Sequence, residues 1–195
     1  MLPRPYSARP LKPTKLSNAI KPHSAICEEE VGERPGLSRT PVREALRRLE
    51  AHGIVEHRPR SGAVIRSLGH SEIVELYEMR IVLERTAAQM AAKDGAEAEF
   101  DMLVELNNTI QAKRHIPSLS AAINQDFHRC LYRAGRNRFL LNAARALNNS
   151  LLLPGAITYL DAERIDIVGA EHQLIIETLK ARDAGAAGSA AEAHL

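Results

Sequence analysis

The sequence predicts a mainly α-helical protein in two parts, a small basic N-terminal unit followed by an all-α helical bundle. Apolar residues recur at helical spacing through most of the chain after residue 70, where no useful strand-like alternation occurs. The charged residues are also unevenly distributed between the two parts. Residues 1–70 hold 13 Lys and Arg against 7 Glu, whereas the rest holds 13 against 17 Asp and Glu. A basic first third joined to an acidic remainder indicates one part for nucleic acid and another for a different partner.

Composition narrows the class of protein. With 195 residues, 45% of them hydrophobic, the chain is long enough for one or two domains with a real core. No stretch approaches the ~20 apolar residues of a membrane span, and no apolar run of a secretory signal follows the first basic residues. Cys27 and Cys130 show no metal-like or redox spacing, which predicts reduced thiols. We therefore expect a cytoplasmic protein without membrane contact.

The N-terminal unit is predicted to follow an irregular arm. Residues 1–25 are rich in proline, which breaks helices. A short helix is predicted over residues 26–34, with glutamates in the first turn, where the helix dipole favours them. After a proline-glycine turn, a basic helix is predicted over residues 38–51. Residues 54–57 and 63–66 then alternate as the two short strands of a hairpin with a glycine tip.

The basic helix has two distinct faces. The residues predicted to face inward are Val42, Ala45, Leu46 and Leu49. Three arginines at i, i+4 and i+8 are predicted to line the outer face, namely Arg39, Arg43 and Arg47. Either Ser38 or Thr40 can cap the start of the helix, and Pro41 suits its first turn. A helix that is apolar on one side and rich in guanidinium groups on the other suits the major groove of DNA.

The second part is predicted to start with a long amphipathic helix over residues 71–93. Its inward residues are predicted to be Ile73, Leu76, Tyr77, Ile81, Leu83 and Ala87. Glycines and prolines separate five further helices, at 96–113, 118–134, 137–152, 161–182 and 184–195. This succession of helices predicts a bundle.

Two stretches of sequence resemble a known family. The run LSRTPVREALRRLEAHGIV at residues 37–55 resembles the winged helix-turn-helix of GntR-family transcriptional regulators. The pieces that resemble the all-helical, FCD-type effector domain of the FadR subfamily are YEMRIVLE at 77–84, DFH at 126–128 with Asn137, and Glu171-His172 followed by His194. Relative to that family, the N-terminus is atypical and the C-terminus is short.

The resemblance implies a domain plan and a set of DNA contacts. Residues 26–69 would form a winged helix-turn-helix DNA-binding domain and residues 71–195 an effector-binding domain, after an irregular arm or degenerate first helix at 1–25. The expected DNA-binding residues are Ser38, Arg39, Thr40, Arg43, Arg47, Arg60 and Gly62, from the basic helix and the wing tip. A palindromic double-stranded operator then implies a homodimer. The alternative is a solvated basic face without a partner.

A metal site is predicted in the bundle. Asn124 and His128 share one helix face, while His172 and His194 fall on the last two helices, so the four could converge on one ion. Three nitrogens and one oxygen suit zinc, nickel or a similar divalent ion. The resembling domain commonly holds a metal with an acidic residue and three histidines, and Asn124 occupies the acidic position here. The alternative is that the histidines are separate.

The predicted metal site indicates the chemical class of the effector. A metal that is open on one side suits a small carboxylate or hydroxy acid, whose oxygens complete the coordination. Arg80 is a candidate to pair with that carboxylate, the alternative being an ion pair with Glu84 at i+4. Asn137 is predicted to cap the next helix rather than bind the effector.

The function predicted from these features is a ligand-responsive transcriptional regulator, a repressor rather than an enzyme. One alternative is a degenerate or truncated family member that acts only as a helical ligand-binding module. Another is a metal-dependent hydrolase, although no HExxH-type motif and no evident general base accompany the histidines.

Overall fold

The computed structural model describes residues 25–26, 39–59, 62–151, 153 and 162–195. The N-terminal elements in this part are β1 (Ala25–Ile26), α1 (Arg39–Ala51), β2 (Val55–Arg58) and β3 (Gly62–Ile65). The three strands form an antiparallel sheet in the order β1-β3-β2. The buried side chains of Val42, Val55 and Ala63 lie between α1 and this sheet, and the buried Val64 is on the opposite face of β3.

The described residues after the hairpin form six helices. They are α2 (His70–Asp94), α3 (Glu97–Ala112), α4 (Pro117–Ala134), α5 (Arg138–Ser150), α6 (Ala162–Lys180) and α7 (Ala184–Ala193). Pro117 stands at the start of α4, where its missing N–H costs nothing. The side chain of Asp183 caps α7 by accepting a hydrogen bond from the Ala186 amide at 2.9 Å. No helix among the described residues is long and apolar enough to cross a membrane.

The helical prediction is confirmed, with each bundle helix within two residues of its predicted ends. The two hairpin strands lie one residue from their predicted positions. The prediction was wrong at Ile26, which lies in β1 opposite Ala63 instead of starting a helix. β3 has a second edge whose backbone groups need partners, and the two residues of β1 supply them. The rest of the predicted helix and arm lies outside the described residues.

Two predicted faces also need correction. Ala45 is exposed, because α1 packs on the hairpin through Val42, with Leu46 and Leu49 only half-buried. On α2, Leu76 and Ala87 are buried as predicted, but the other side chains predicted to face inward are only partly covered. The residues predicted inward and found half-buried are Ile73, Tyr77, Ile81 and Leu83. Two positions one turn apart on α2 are buried instead, and they carry Arg80 and Glu84.

The bundle core is formed by residues from all six helices, α2 to α7. Its largest fully buried side chains include Tyr132, Phe100, Phe127, Leu103 and Ile176. α2 and α7 face each other through small residues, with Ala87, Ala88 and Ala91 on one helix and Ala187 and Ala191 on the other. Small side chains let the two helix backbones approach closely, which brings the end of α7 near the centre of the bundle.

The N-terminal unit joins the bundle through a short connection that contacts both. Arg66, just after β3, forms an ion pair with Glu72 in the first turn of α2. Leu68 packs against a small cluster that contains Leu76 from α2 and Leu147 and Leu151 at the end of α5. The strand therefore passes into α2 along a surface of the bundle that includes the end of α5.

Gly95→Ala is expected to lower the free energy of unfolding by about 1–3 kcal/mol through overpacking. A β-carbon at Gly95 would lie 2.6 Å from the carbonyl oxygen of Ala91 and 2.7 Å from the buried ring of Phe100. Thermal denaturation followed by circular dichroism measures the loss. Gly185→Ala is the control, because its methyl group meets only Asp183 Oδ1, at 3.4 Å. Equal melting temperatures for the two variants would contradict the packing argument.

Candidate metal centre and nucleic-acid interface

Three buried histidines from three helices meet in the bundle. His128 lies on α4, His172 on α6 and His194 directly after α7, and each is at most 5% exposed. One ring nitrogen of each lies within 4.8 Å of the corresponding nitrogens of the others. The Nε2 atoms of His128 and His194 are 3.4 Å apart. Two nitrogen ligands of one tetrahedral zinc ion are about 3.3 Å apart when the Zn–N distance is 2.0–2.1 Å, so this spacing fits a shared ion.

Carboxylates fix the orientation of two of these rings. His128 Nδ1 lies 2.5 Å from Glu84 Oε2, and His194 Nδ1 lies 2.8 Å from Glu171 Oε2. An oxygen acceptor at Nδ1 holds the ring proton there and leaves the Nε2 lone pair facing the other side. The two Nε2 atoms then present lone pairs to each other without a proton between them. A cation is the natural partner for both.

An amide holds the third ring. Asn107 Oδ1 lies 3.2 Å from His172 Nδ1, and Asn107 Nδ2 donates to the carbonyl oxygen of Gly169 at 2.9 Å. The ring of His172 also stacks on Phe127, with 3.7 Å between centroids. Among the described residues, no hydrogen-bond partner satisfies the buried His172 Nε2 or the buried Asn124 Oδ1. Such orphaned groups cost about 1–3 kcal/mol each.

Two of the histidines, His172 and His194, are held neutral, which is the form that binds metal. Burial, together with the neighbouring His128, lowers the pKa of His194 to about 3. Burial and the imidazoles of His194 and His128 hold the pKa of His172 well below its usual value. At neutral pH the lone pairs of these two rings are therefore available.

A buried ion pair supports the site from α2. The side chain of Glu84 is fully buried and accepts hydrogen bonds from Arg80 Nε at 3.2 Å and Arg80 Nη2 at 2.6 Å. Burial alone would raise the pKa of Glu84, but His128 and Arg80 outweigh burial and lower that pKa to about 2. Glu84 is therefore an ionised carboxylate that contacts a histidine and an arginine at once.

A cavity of about 160 Å³ opens beside the histidines. Its lining includes Arg80, Asn124, His128 and His194, together with Arg164. The side chain of Arg80 thus pairs with Glu84 and also borders the cavity, so the two predicted roles of this residue are compatible. Asn124 and His128 share one face of α4, as their spacing predicts. Asp126 points away and pairs with Arg129 on the surface.

The described DNA-contact candidates lie on α1 and the hairpin. Thr40, Arg43 and Arg47 are exposed on α1, the two arginines one turn apart. Gly62 starts β3 with a φ of +70°, a conformation that favours glycine in the hairpin connection. Ser38, Arg60 and the side chain of Arg39 lie outside the described residues.

Sequence reasoning identifies none of the three groups that orient the histidines. It gives Asn107 no role, includes Glu171 only as part of a motif, and considers Glu84 only in a motif and as a partner of Arg80. A signal for Asn107 was available, because it stands between Leu103 and Ile110 on the buried face of α3. A polar residue at a core position of a helix calls for a buried partner. The predicted cap at Asn137 is confirmed, since its side chain accepts from the amides of Phe139 and Leu140.

Comparison with known proteins decides the family. Residues 75–195 match the family model described as FCD domain, and residues 15–65 match that of bacterial regulatory proteins, gntR family. The chain belongs to the GntR family. Its helical bundle is the FCD domain, and the exposed arginines of α1 lie in the GntR part.

Relatives of this GntR-family protein are regulators. The HTH-type transcriptional regulator YdhC of Bacillus subtilis is 29% identical, over 98% of this chain and 88% of that protein. The "Probable D-xylose utilization operon transcriptional repressor" of Paenarthrobacter nicotinovorans is 32% identical, over 87% of this chain and 75% of that protein. The solved structure of E. coli McbR/YncC has the same fold, with a TM-score of 0.77 and 22% identity over 88% and 83% of the two chains.

The family assignment sets the class of function. This GntR-family protein is a DNA-binding transcriptional regulator with an effector-binding FCD domain. Its family and relatives consist of regulators and not of enzymes, which decides against the hydrolase alternative.

Arg80→Met is expected to lower the free energy of unfolding by about 3–5 kcal/mol, because it removes one partner of a buried ion pair. Arg85→Met is the matched control on the same helix, since Arg85 pairs with Glu192 at the surface. An exposed pair contributes about 0–1 kcal/mol. Urea denaturation of the metal-free protein measures both losses. The buried pair would lose its assigned role if Arg80→Met cost no more than Arg85→Met.

Proposed function

We propose that this GntR-family regulator is a cytoplasmic repressor whose FCD domain senses a small carboxylate through a bound divalent metal ion. The observation that carries the proposal is the set of three buried imidazoles whose Nδ1 atoms each contact an oxygen. Their remaining nitrogens face one another, as a metal centre requires. Relatives named as repressors of sugar and gluconate operons support the direction of regulation.

The donor set favours a first-row transition ion over calcium or magnesium. His128, His172 and His194 would supply nitrogen, and Asn124 Oδ1 would supply oxygen, a combination that suits zinc or nickel. Because Asn124 is neutral, negative charge beside the ion would come from the carboxylates behind two ligands, Glu84 at His128 and Glu171 at His194. When bound, the ion supplies a Lewis-acidic position for an oxygen ligand.

The cavity favours a small anion as that ligand. Arg80 and Arg164 line it, and no Asp or Glu side chain does so among the described residues. A carboxylate would pair with a guanidinium on one side while its oxygen faces the metal position on the other. The volume of about 160 Å³ favours a small carboxylate or hydroxy acid.

DNA binding is proposed for the exposed face of α1. Arg43 and Arg47 stand one turn apart on the helix that carries the family motif, and Thr40 stands near its start. Two copies of this unit in a homodimer would meet the two halves of a palindromic operator. The effector would control this binding by favouring one arrangement of the two units over the other.

His172→Ala is expected to remove most of the bound metal, because it deletes one of three nitrogen ligands. Purified protein is loaded with zinc or nickel, desalted, and its metal content measured by mass spectrometry. Asn107→Ala is expected to weaken metal affinity by about 10–100-fold while all ligands remain, since it frees the ring of His172. His115→Ala, at an exposed position before α4, is the control. Full metal content in His172→Ala would refute the metal centre.

Arg43→Ala and Arg47→Ala are each expected to weaken binding to the upstream DNA of the protein's own gene. A lost base contact costs about 1–3 kcal/mol, whereas a lost phosphate contact lowers the slope of log affinity against log salt by about one. Fluorescence anisotropy at several salt concentrations separates the two cases. Arg114→Ala, at an exposed site in the bundle, is the control. A chain that binds metal and carboxylate but no duplex would act as a ligand-binding module alone.

A further inference from the structure

A second cleft, of about 420 Å³, lies between α4 and α5. Three arginines and three amide side chains contribute to its lining, namely Arg129, Arg133, Arg145, Gln125, Asn148 and Asn149. No acidic side chain lines this arginine cleft among the described residues. All six groups can donate hydrogen bonds, and three of them carry positive charge.

Two of the three arginines lack a compensating carboxylate. Arg129 forms an ion pair with Asp126 one turn away on α4. Arg133 and Arg145 are exposed, and within the described part of the chain neither forms an ion pair. Because they line one cleft from two helices, their guanidinium groups concentrate positive potential there. An oxyanion that accepts from both would form charge-assisted hydrogen bonds.

The arginine cleft adjoins the cavity beside the histidines, because Gln125 and Asn148 line both spaces. On α4, Gln125 and Arg129 each follow a residue of the histidine site, Asn124 and His128. The histidine cavity is small, and an effector that extends beyond it would enter the arginine cleft.

We propose that the arginine cleft is a second anion-binding site, which holds the second oxyanion of an effector whose first carboxylate occupies the histidine cavity. This inference rests on the proposed carboxylate function of that cavity. It narrows the effector class to small acids with two anionic groups, the second being a carboxylate or a phosphoryl group. Arg133 and Arg145 would then be the residues that distinguish a dianion from a monoacid.

Calorimetry on the full chain loaded with zinc tests the proposal. Each dicarboxylate from malonate to pimelate is compared with the monocarboxylate of the same carbon number, and phosphoglycolate is compared with glycolate. At least one dianion is expected to bind the wild type about tenfold or more tightly than its monoanionic partner, the gain of one charge-assisted hydrogen bond. A gain for a dicarboxylate identifies the second oxyanion as a carboxylate, and a gain for phosphoglycolate identifies it as a phosphoryl group.

The double variant Arg133→Gln/Arg145→Gln is expected to lose this gain while it keeps the affinity for the monoacid. Each single variant is expected to lose part of this gain. Arg138→Gln is the control, because Arg138 lies on α5 outside the arginine cleft. Monoacid binding without a gain for any dianion would overturn the cleft assignment, and so would a gain that survives in the double variant. Both results would leave the histidine cavity as proposed. Wild-type protein that binds no acid at all would overturn the carboxylate function and this inference together.

Discussion

The buried, ionised carboxylate of Glu84 orients the side chains around the histidine site of the effector domain. An isolated charge inside an apolar bundle is very costly, so this carboxylate requires partners within reach. Arg80 supplies one from the same helix, and His128 supplies the other from α4. The same contacts keep a guanidinium at the edge of the cavity and turn the Nε2 atom of His128 toward the other histidines. One buried charge thereby positions both the guanidinium at the edge of the cavity and the ring of His128.

The route from this site to the DNA-binding unit is short. Leu151, near the end of α5, lines the histidine cavity and also belongs to the cluster that receives Leu68 from the connection after β3. The neighbouring Asn148 lines both the histidine cavity and the arginine cleft. A ligand that repositions the end of α5 therefore acts on the surface where the N-terminal unit is attached. Coupling between effector and DNA requires such an element, whose arrangement both sites influence.

Much of the fold could be predicted because glycines and prolines mark the helix ends and apolar spacing marks the helices. The meeting of His128, His172 and His194 was also predictable, from their order and the family resemblance. The two residues of β1 were not, because so short a strand has no pattern of its own and depends on pairing with β3. Apolar periodicity likewise placed half-buried residues of α2 inside and passed over Arg80 and Glu84. The orienting contact of Asn107 depends on α3 lying against α6, which the sequence alone does not state.

The composition of α7 has a consequence for the stability of the histidine site. This helix has ten residues, most of them alanine or glycine, so it buries little apolar surface for its length. It packs against α2 and α6, and His194 stands directly beyond its last turn. An ion shared by His194, His128 and His172 would cross-link the end of α7 to α4 and α6. Loss of the ion would then increase the mobility of α7, and with it of the His194 side of the cavity.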